Sequence, residues 1–395
     1  MKILRIVSEL DFGGVEQVLA ISVPYLVQTK GIEVQVVVLG KGGRISEGLI
    51  QDGFSVIVLN QATRIPNIKL VFQLKNLIKN EKPDVVHCQG SEANFHGLWA
   101  ASMAGVKIKI GEEIGLPNHH SFWKYVFKWI YQKADRVIAI SEAVKNYIIE
   151  LGEVESEKVE VIYNPVDLAR IEKVENLSRR ILGEQREIPR ELGEGFRFAP
   201  TEKVGKQNDG NNDSDIEKSF LFITTCRLVP IKNLERLIEA FAKLRQCVSE
   251  KHIELWIVGE GPLKESLVQQ VNQLEIQASI KFLGFQENVF QFLEQADIFV
   301  LPSLREGSSV SLAEAMSYGL PSIVTEIGGA REILGDIHSG LLVDPFSTDA
   351  IFSAMLSMCK LSEDEIKEMG KKAIVASQRF SIETYAEELL EVYKG

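Results

Sequence analysis

Leu301-Pro302-Ser303-Leu304-Arg305-Glu306-Gly307-Ser308-Ser309-Val310-Ser311-Leu312-Ala313-Glu314-Ala315-Met316 decides the fold class, because it joins two unlike patterns. The apolar run 297–301 leading into it has strand character and stops at Pro302. A polar loop follows, and from Ser309 onward the apolar residues recur at helical spacing. Strand, short loop, helix is the unit of a parallel sheet with helices on its faces. Ligands of such sheets bind at the carboxyl ends of the strands, where loops enter helices. Glu306, Gly307, Ser308 and Ser309 therefore stand where a ligand is expected. Ser308 or Ser309 suits the helix N-cap, and the free amides beside it favour a phosphate. Glu314 falls about one and a half turns into the helix. Two carboxylates, one in the loop and one on the helix, can accept hydrogen bonds from a polyhydroxyl ligand. The bland alternative leaves both as solvated surface residues.

Outward from this stretch the same alternation continues. In the second half, strands are predicted at 220–226, 253–258, 279–283 and 321–325 beside 297–301. A helix follows Asn233, with Leu234, Leu237, Ile238, Phe241 and Leu244 on one face. Arg227 and Lys232 come straight after the first of these strands, where two cations and a helix start can converge on a diphosphate. Gly259 and Gly261 end the next strand, where a tight turn or a ligand's close approach would call for glycine.

The first half predicts strands at 3–8, 33–39, 54–59, 84–88, 107–110, 136–140 and 159–163, with helices at 14–28 and 66–80 among them. In the second helix Ile68, Val71, Phe72, Leu74, Leu77 and Ile78 read as one broad apolar stripe. The turn Asp11-Phe12-Gly13-Gly14-Val15-Glu16 follows the first strand but is not a G-x-G-x-x-G fingerprint. Leu39-Gly40 lacks the acidic residue that a dinucleotide site places on the ribose, so nicotinamide binding is disfavoured. Gly13 and Gly14 still let a phosphate or sugar approach the backbone.

Two doubly wound domains result, 1–168 and 219–380, separated by a polar linker or insertion at 169–218. An amphipathic helix within 381–395 completes the chain and can simply finish the second core.

Charge and composition narrow the function. The net charge is −11, yet residues 1–170 hold 19 Lys/Arg against 19 Asp/Glu, so the whole excess lies in the second half. A nucleic-acid surface there is disfavoured, and an anionic ligand must be held by a few focused cations and amides. The four cysteines show no metal-ligand spacing, and His119-His120, being adjacent, seldom aim at one point; no metal site is read. Scattered cysteines, no apolar run long enough to span a bilayer, and an amino-terminal segment that reads as a strand point to a cytoplasmic protein. The segment 119–133 is aromatic and basic at helical spacing. It either packs its aromatics on the first sheet or rests on a membrane surface, which would put the protein peripherally on the inner face.

Taken in order, Gly13-Gly14-x-Glu16, Arg227-x4-Lys232-Asn233, Val258-Gly259-x-Gly261-Pro262, Glu306-x7-Glu314, Gly328-Gly329-x2-Glu332 and Gly340-Leu341-Leu342-Val343-x-Pro345 resemble the retaining glycosyltransferases of group 1, or family four. The resemblance covers nearly all of the chain outside the linker. It implies the GT-B architecture: two Rossmann-like domains facing across a cleft, with the last helix crossing back onto the first domain. It implies a nucleoside-diphosphate sugar, UDP- or GDP-linked, as co-substrate, with no other cofactor. The acceptor would be a glycan or a lipid-linked sugar in cell-surface polysaccharide, glycolipid or lipopolysaccharide assembly. Arg227 and Lys232 would grip the diphosphate, Glu314 the ribose, and Glu306 with the amides after Gly307 the donor sugar and its phosphate. Many relatives carry a histidine in the loop after the fifth strand; Ile114 aligns with it here. Glu113, or else His119, is then the candidate to contact the sugars. An epimerase of the same architecture and a non-catalytic sugar-nucleotide-binding subunit are the other readings.

Overall fold

The computed structural model describes residues 1–11, 13–119, 122–167, 219–248, 252–335 and 338–395. The predicted linker 169–218 lies outside the described residues.

The first sheet has seven strands: β1 (Lys2–Val7), β2 (Glu33–Val38), β3 (Ser55–Val58), β4 (Val85–Gln89), β5 (Ile108–Glu113), β6 (Arg136–Ala139) and β7 (Val159–Val161). Their order is β3-β2-β1-β4-β5-β6-β7, and every neighbouring pair is parallel. The second sheet has six: β8 (Phe220–Thr225), β9 (Ile253–Val258), β10 (Ile280–Gly284), β11 (Ile298–Leu301), β12 (Ser322–Thr325) and β13 (Gly340–Val343). It runs β10-β9-β8-β11-β12-β13, again all parallel. Helices cover both faces of a parallel sheet, so its strands are apolar almost throughout. The β8 sequence FLFITT, buried from its second residue on, is of this kind.

Strand order reverses once in each sheet, between β1 and β4 and between β8 and β11. At such a switch point the loops of two adjacent strands diverge to opposite faces and open a crevice. Arg227 and Lys232 follow β8 and Glu306 follows β11, and the second switch point brings Lys232 and Glu306 side by side.

Helices α1 (Gly14–Gln28), α2 (Arg44–Gln51) and α3 (Ile68–Glu81) belong to the first domain. The chain then forms α4 (Ser91–Ala93), a π-helical turn at Asn94–Leu98, α5 (Trp99–Ala104), α6 (Phe122–Tyr131) and α7 (Glu142–Glu150). Helices α3, α5, α6 and α7 share one core with one face of the first sheet. The apolar stripe of α3 is narrower than the sequence predicts. Leu70, Val71, Leu74 and Ile78 are buried, whereas Ile68 and Phe72 face out.

The last helix, Ile382–Lys394, packs with α1 on the opposite face of the first sheet. A buried polar web ties it there. Arg5 Nη2 donates to the Tyr385 hydroxyl at 3.3 Å, and Tyr393 Oη lies 2.6 Å from His87 Nδ1. On its other side His87 Nε2 is 2.8 Å from Glu112.

Candidate active site

Around β8 and β11 the loops are knitted by one residue that the sequence quoted without a role. Asn233 adopts the left-handed conformation at φ 59°, one place before the helix Leu234–Cys247. Its buried side-chain amide donates to the Pro302 carbonyl at 2.9 Å and the Pro345 carbonyl at 2.8 Å. The loops after β8, β11 and β13 are thereby fixed to one another. The Leu304 amide adds a bond to the Ile231 carbonyl at 2.8 Å.

On this support Lys232 Nζ sits 2.6 Å from Glu306 Oε2, and Ser303 Oγ donates to the same oxygen at 3.2 Å. Both charged side chains are mostly buried, so the pair is worth more than a surface bridge and screened less. Glu306 leads directly into the helix Val310–Ser317. Ser309 is the cap: its hydroxyl accepts from the Leu312 amide at 3.2 Å. The helix's first amides have no partner within the helix. Lysine, glutamate and helix tip therefore occupy one place.

That place faces the first domain. Ser141 Oγ, the cap of α7, donates to the Gly307 carbonyl at 2.6 Å, and Arg305 Nη2 donates to the Leu116 carbonyl at 2.7 Å. A Cβ on Gly307 would stand 3.0 Å from the Gly115 Cα. Across the gap stands Glu16 at the start of α1: burial, with Glu9 and Asp11, pushes its carboxyl up, against its own backbone amide and the weaker pull of Arg227. Gly13 and Gly14 open α1 on this side, and Gly14 is exposed. Glu332, from the Gly328-Gly329 turn, accepts from the Glu142 amide at 2.8 Å and from the Tyr163 hydroxyl at 3.2 Å. Nothing in the sequence singled out this carboxylate as a link between domains; its partners come from residues about 170–190 positions away.

Gly259 serves the tight turn that the sequence offers as one reading of its strand end. At φ 139°, an added Cβ would lie 1.9 Å from the Cys226 carbonyl oxygen, so the glycine exists to let the β8 loop pass. Gly328 does the same for Glu306, whose carbonyl oxygen would be 1.9 Å from an added Cβ. Glu113 is not on the rim of the cleft. It is only 2% exposed, accepts from the Tyr131 hydroxyl and takes a 3.3 Å bond from the Asn94 side chain. Burial pushes its carboxyl up to about 7. His119 is likewise turned inward, stacked on Phe127 and 3.1 Å from Glu153. Ile114 is exposed and packs toward Gly90.

Glu314 lies further along the helix Val310–Ser317. It is half-buried, and burial, reinforced by the nearby Asp167, pushes its carboxyl up to about 7. Among the described residues, no three His, Cys, Asp or Glu side chains are grouped so as to hold a metal ion.

Comparison with known proteins places the two halves separately and consistently. Residues 12–170 match the family model described as Glycosyltransferase Family 4, and residues 207–376 match Glycosyl transferases group 1. The chain is 27% identical over 319 residues to the UDP-Gal:alpha-D-GlcNAc-diphosphoundecaprenol alpha-1,3-galactosyltransferase of Escherichia coli, covering 78% of this chain and 74% of the relative. It is 23% identical to a Campylobacter jejuni N-acetylgalactosaminyltransferase acting on a diphospho-undecaprenol-linked sugar, over 98% of both chains. Among solved structures it resembles Anabaena HepE in complex with UDP, with a TM-score of 0.77, 21% identity and full coverage of both chains.

Proposed function

The chain belongs to the group 1, family four glycosyltransferases, and on that premise we propose that it moves a sugar, with retention of its anomeric configuration, from a UDP-sugar to a lipid-linked or polysaccharide acceptor. The observation that carries the reading is the meeting of Lys232, Glu306 and the tip of the Val310–Ser317 helix at the switch point of the second sheet, against the first domain. Cleaving the bond from sugar to diphosphate builds negative charge on the leaving phosphate and positive charge on the ring. Arg227, Lys232 and the free amides of the helix supply a preorganised positive field for the first. Glu306, held by Lys232 and Ser303, has an oxygen left to face the sugar. A nucleoside diphosphate so neutralised departs without an acid to protonate it, unlike the leaving group in glycoside hydrolysis. In this reading the two cations do the work that a metal ion would do elsewhere. Glu314 accepts from the ribose hydroxyls. The lipid-linked acceptors and the UDP named for the relatives support the choice of both substrates.

A donor screen tests this. Purified protein is heated with UDP, GDP and their sugars. A UDP-sugar is expected to raise the melting midpoint by several degrees at saturating concentration, as differential binding to the native state requires, and to be turned over with a lipid-linked acceptor. Protection by GDP-sugars alone would overturn the donor, and protection by no nucleotide would overturn the reading as a whole.

A further inference from the structure

The loop after β5 brings an apolar side chain to the cleft. Ile114 is the first residue beyond β5 and is 37% exposed, although Glu112 and Glu113 just before it are buried. Its Cδ1 reaches toward Gly90, which has φ 87°; a Cβ on Gly90 would lie 3.1 Å from it. The Gly90 amide donates to the Glu112 carbonyl at 2.9 Å, so the ends of β4 and β5 are tied at this point. Gly90 follows β4, and β4 flanks the reversal of strand order in the first sheet. Ile114 therefore stands at the first switch point, outside the carboxyl ends of the strands, where ligands of a parallel sheet bind.

The second domain holds this loop in place. Gly115 packs against Gly307, and Arg305 Nη2 donates to the Leu116 carbonyl at 2.7 Å. Gly307 follows Glu306, so Ile114 borders the place where Glu306 would face a sugar. The same switch point is otherwise polar. Ser8 Oγ donates to Glu92 Oε2 at 3.5 Å, and Glu9, Asp11 and Glu16 gather after β1. A lone exposed isoleucine on an outer surface means little. This one lies in a crevice, in a loop fixed from both domains. A sugar hydroxyl turned toward it leaves water without gaining a partner, whereas a methyl group gains by burial.

We propose that Ile114 selects a donor sugar bearing a methyl group, in an acetamido substituent or at a deoxygenated C6, over a sugar with hydroxyls throughout. Each of these puts the same apolar group where an ordinary hexose has a hydroxyl. The contact falls to the donor and not to the acceptor because the loop abuts the residue after Glu306. This assignment rests on the reading of the cleft as a UDP-sugar site and names the class of sugar that the site takes.

Calorimetry on the whole chain tests the proposal. The ligands are UDP alone, then UDP-linked glucose, N-acetylglucosamine and 6-deoxyglucose, then the same sugars in the galacto series. A methyl-bearing sugar is expected to bind at least about fivefold tighter than its fully hydroxylated parent, the scale of covering one methyl group with an apolar surface. Whichever arm shows the gain, acetamido or 6-deoxy, tells which methyl is read. Ile114→Asn is expected to bring the ratio down to about one, while Ile114→Val keeps it. Both variants bind UDP as the wild type does, because the nucleotide lies on the second domain, and thermal scans check that both are folded. Equal binding of methyl-bearing and parent sugars by the wild type overturns the proposal, and so does a ratio that survives Ile114→Asn. In either case undiminished UDP binding leaves the donor reading standing. Failure of UDP itself to bind overturns the donor reading, and the assignment of Ile114 with it.

Discussion

The two switch points have the same topology and opposite furnishing. At the β8/β11 point, Lys232 and Glu306 reach each other from neighbouring loops, and Glu306 leads into a helix tip. At the β1/β4 point, the loops present Glu9, Asp11 and Glu16, and next to them β5 ends in two glutamates folded inward. Glu112 joins Gln89, His87 and Arg5 on one face of the sheet; Glu113 joins Tyr131 and Asn94 on the other. A carboxylate at the end of a parallel strand is thus available for chemistry only when its neighbours come from loops. When they come from strands and helices it becomes part of the core.

Removing Glu306 breaks this contrast most severely. Glu306→Ala is expected to lower kcat/KM by about a hundredfold or more, the scale of losing one preorganised electrostatic group. Its melting midpoint should fall by only a few degrees as Lys232 and Ser303 lose their shared partner, with the chain still folded at the assay temperature. Steady-state transfer assays beside thermal scans check both, and a rate near the wild type's would remove Glu306 from the site. Next in size, Lys232→Ala should weaken UDP binding by about tenfold, a loss typical of one charge-assisted contact. Uridine binding should hardly change. Calorimetry with the two ligands separates phosphate recognition from nucleoside recognition, and equal losses would contradict the role given to Lys232.

The smallest effect is expected on the buried side of the comparison. Glu113→Gln should leave transfer within about threefold of the wild type. Its signature is in stability. A carboxyl raised to about 7 in the folded chain binds more protons there than when unfolded. Its contribution is therefore complete below the ordinary carboxylate range and is lost as pH rises through 7. Denaturant unfolding from pH 5 to 8 should show a shallower decline for the variant, by an amount on the order of 1–3 kcal/mol. A large loss of transfer with an unaltered pH slope would return Glu113 to the active site.

Much of this was legible before any tertiary structure. The predicted strands at 253–258, 279–283 and 321–325 are observed within a residue or so, because a buried parallel strand is a local apolar run bounded by breakers. Gly340–Val343, a motif in the sequence, is the edge strand β13; its first three residues are only half-buried, and four residues are too few to show a period. The stripe of α3 was read too broadly for a related reason. Hydrophobic spacing counts apolar residues and does not tell which of them a neighbour covers, so Ile68 and Phe72 were placed inside.

The sequence by itself determined two doubly wound sheets and the loops in which the chemistry had to be sought, since strand, helix and turn preferences act over a few residues. Tertiary structure decided who meets whom. Lys232 and Glu306 are 74 positions apart and touch because β8 and β11 are neighbours at a reversal of strand order. Gly259 serves the Cys226 carbonyl and Gly328 the Glu306 carbonyl for the same reason. The fate of Glu113 turned on which face of β5 it occupied and what was packed there. Burial and pairing are properties of the assembled chain, where desolvation and close approach are set by residues far apart in sequence.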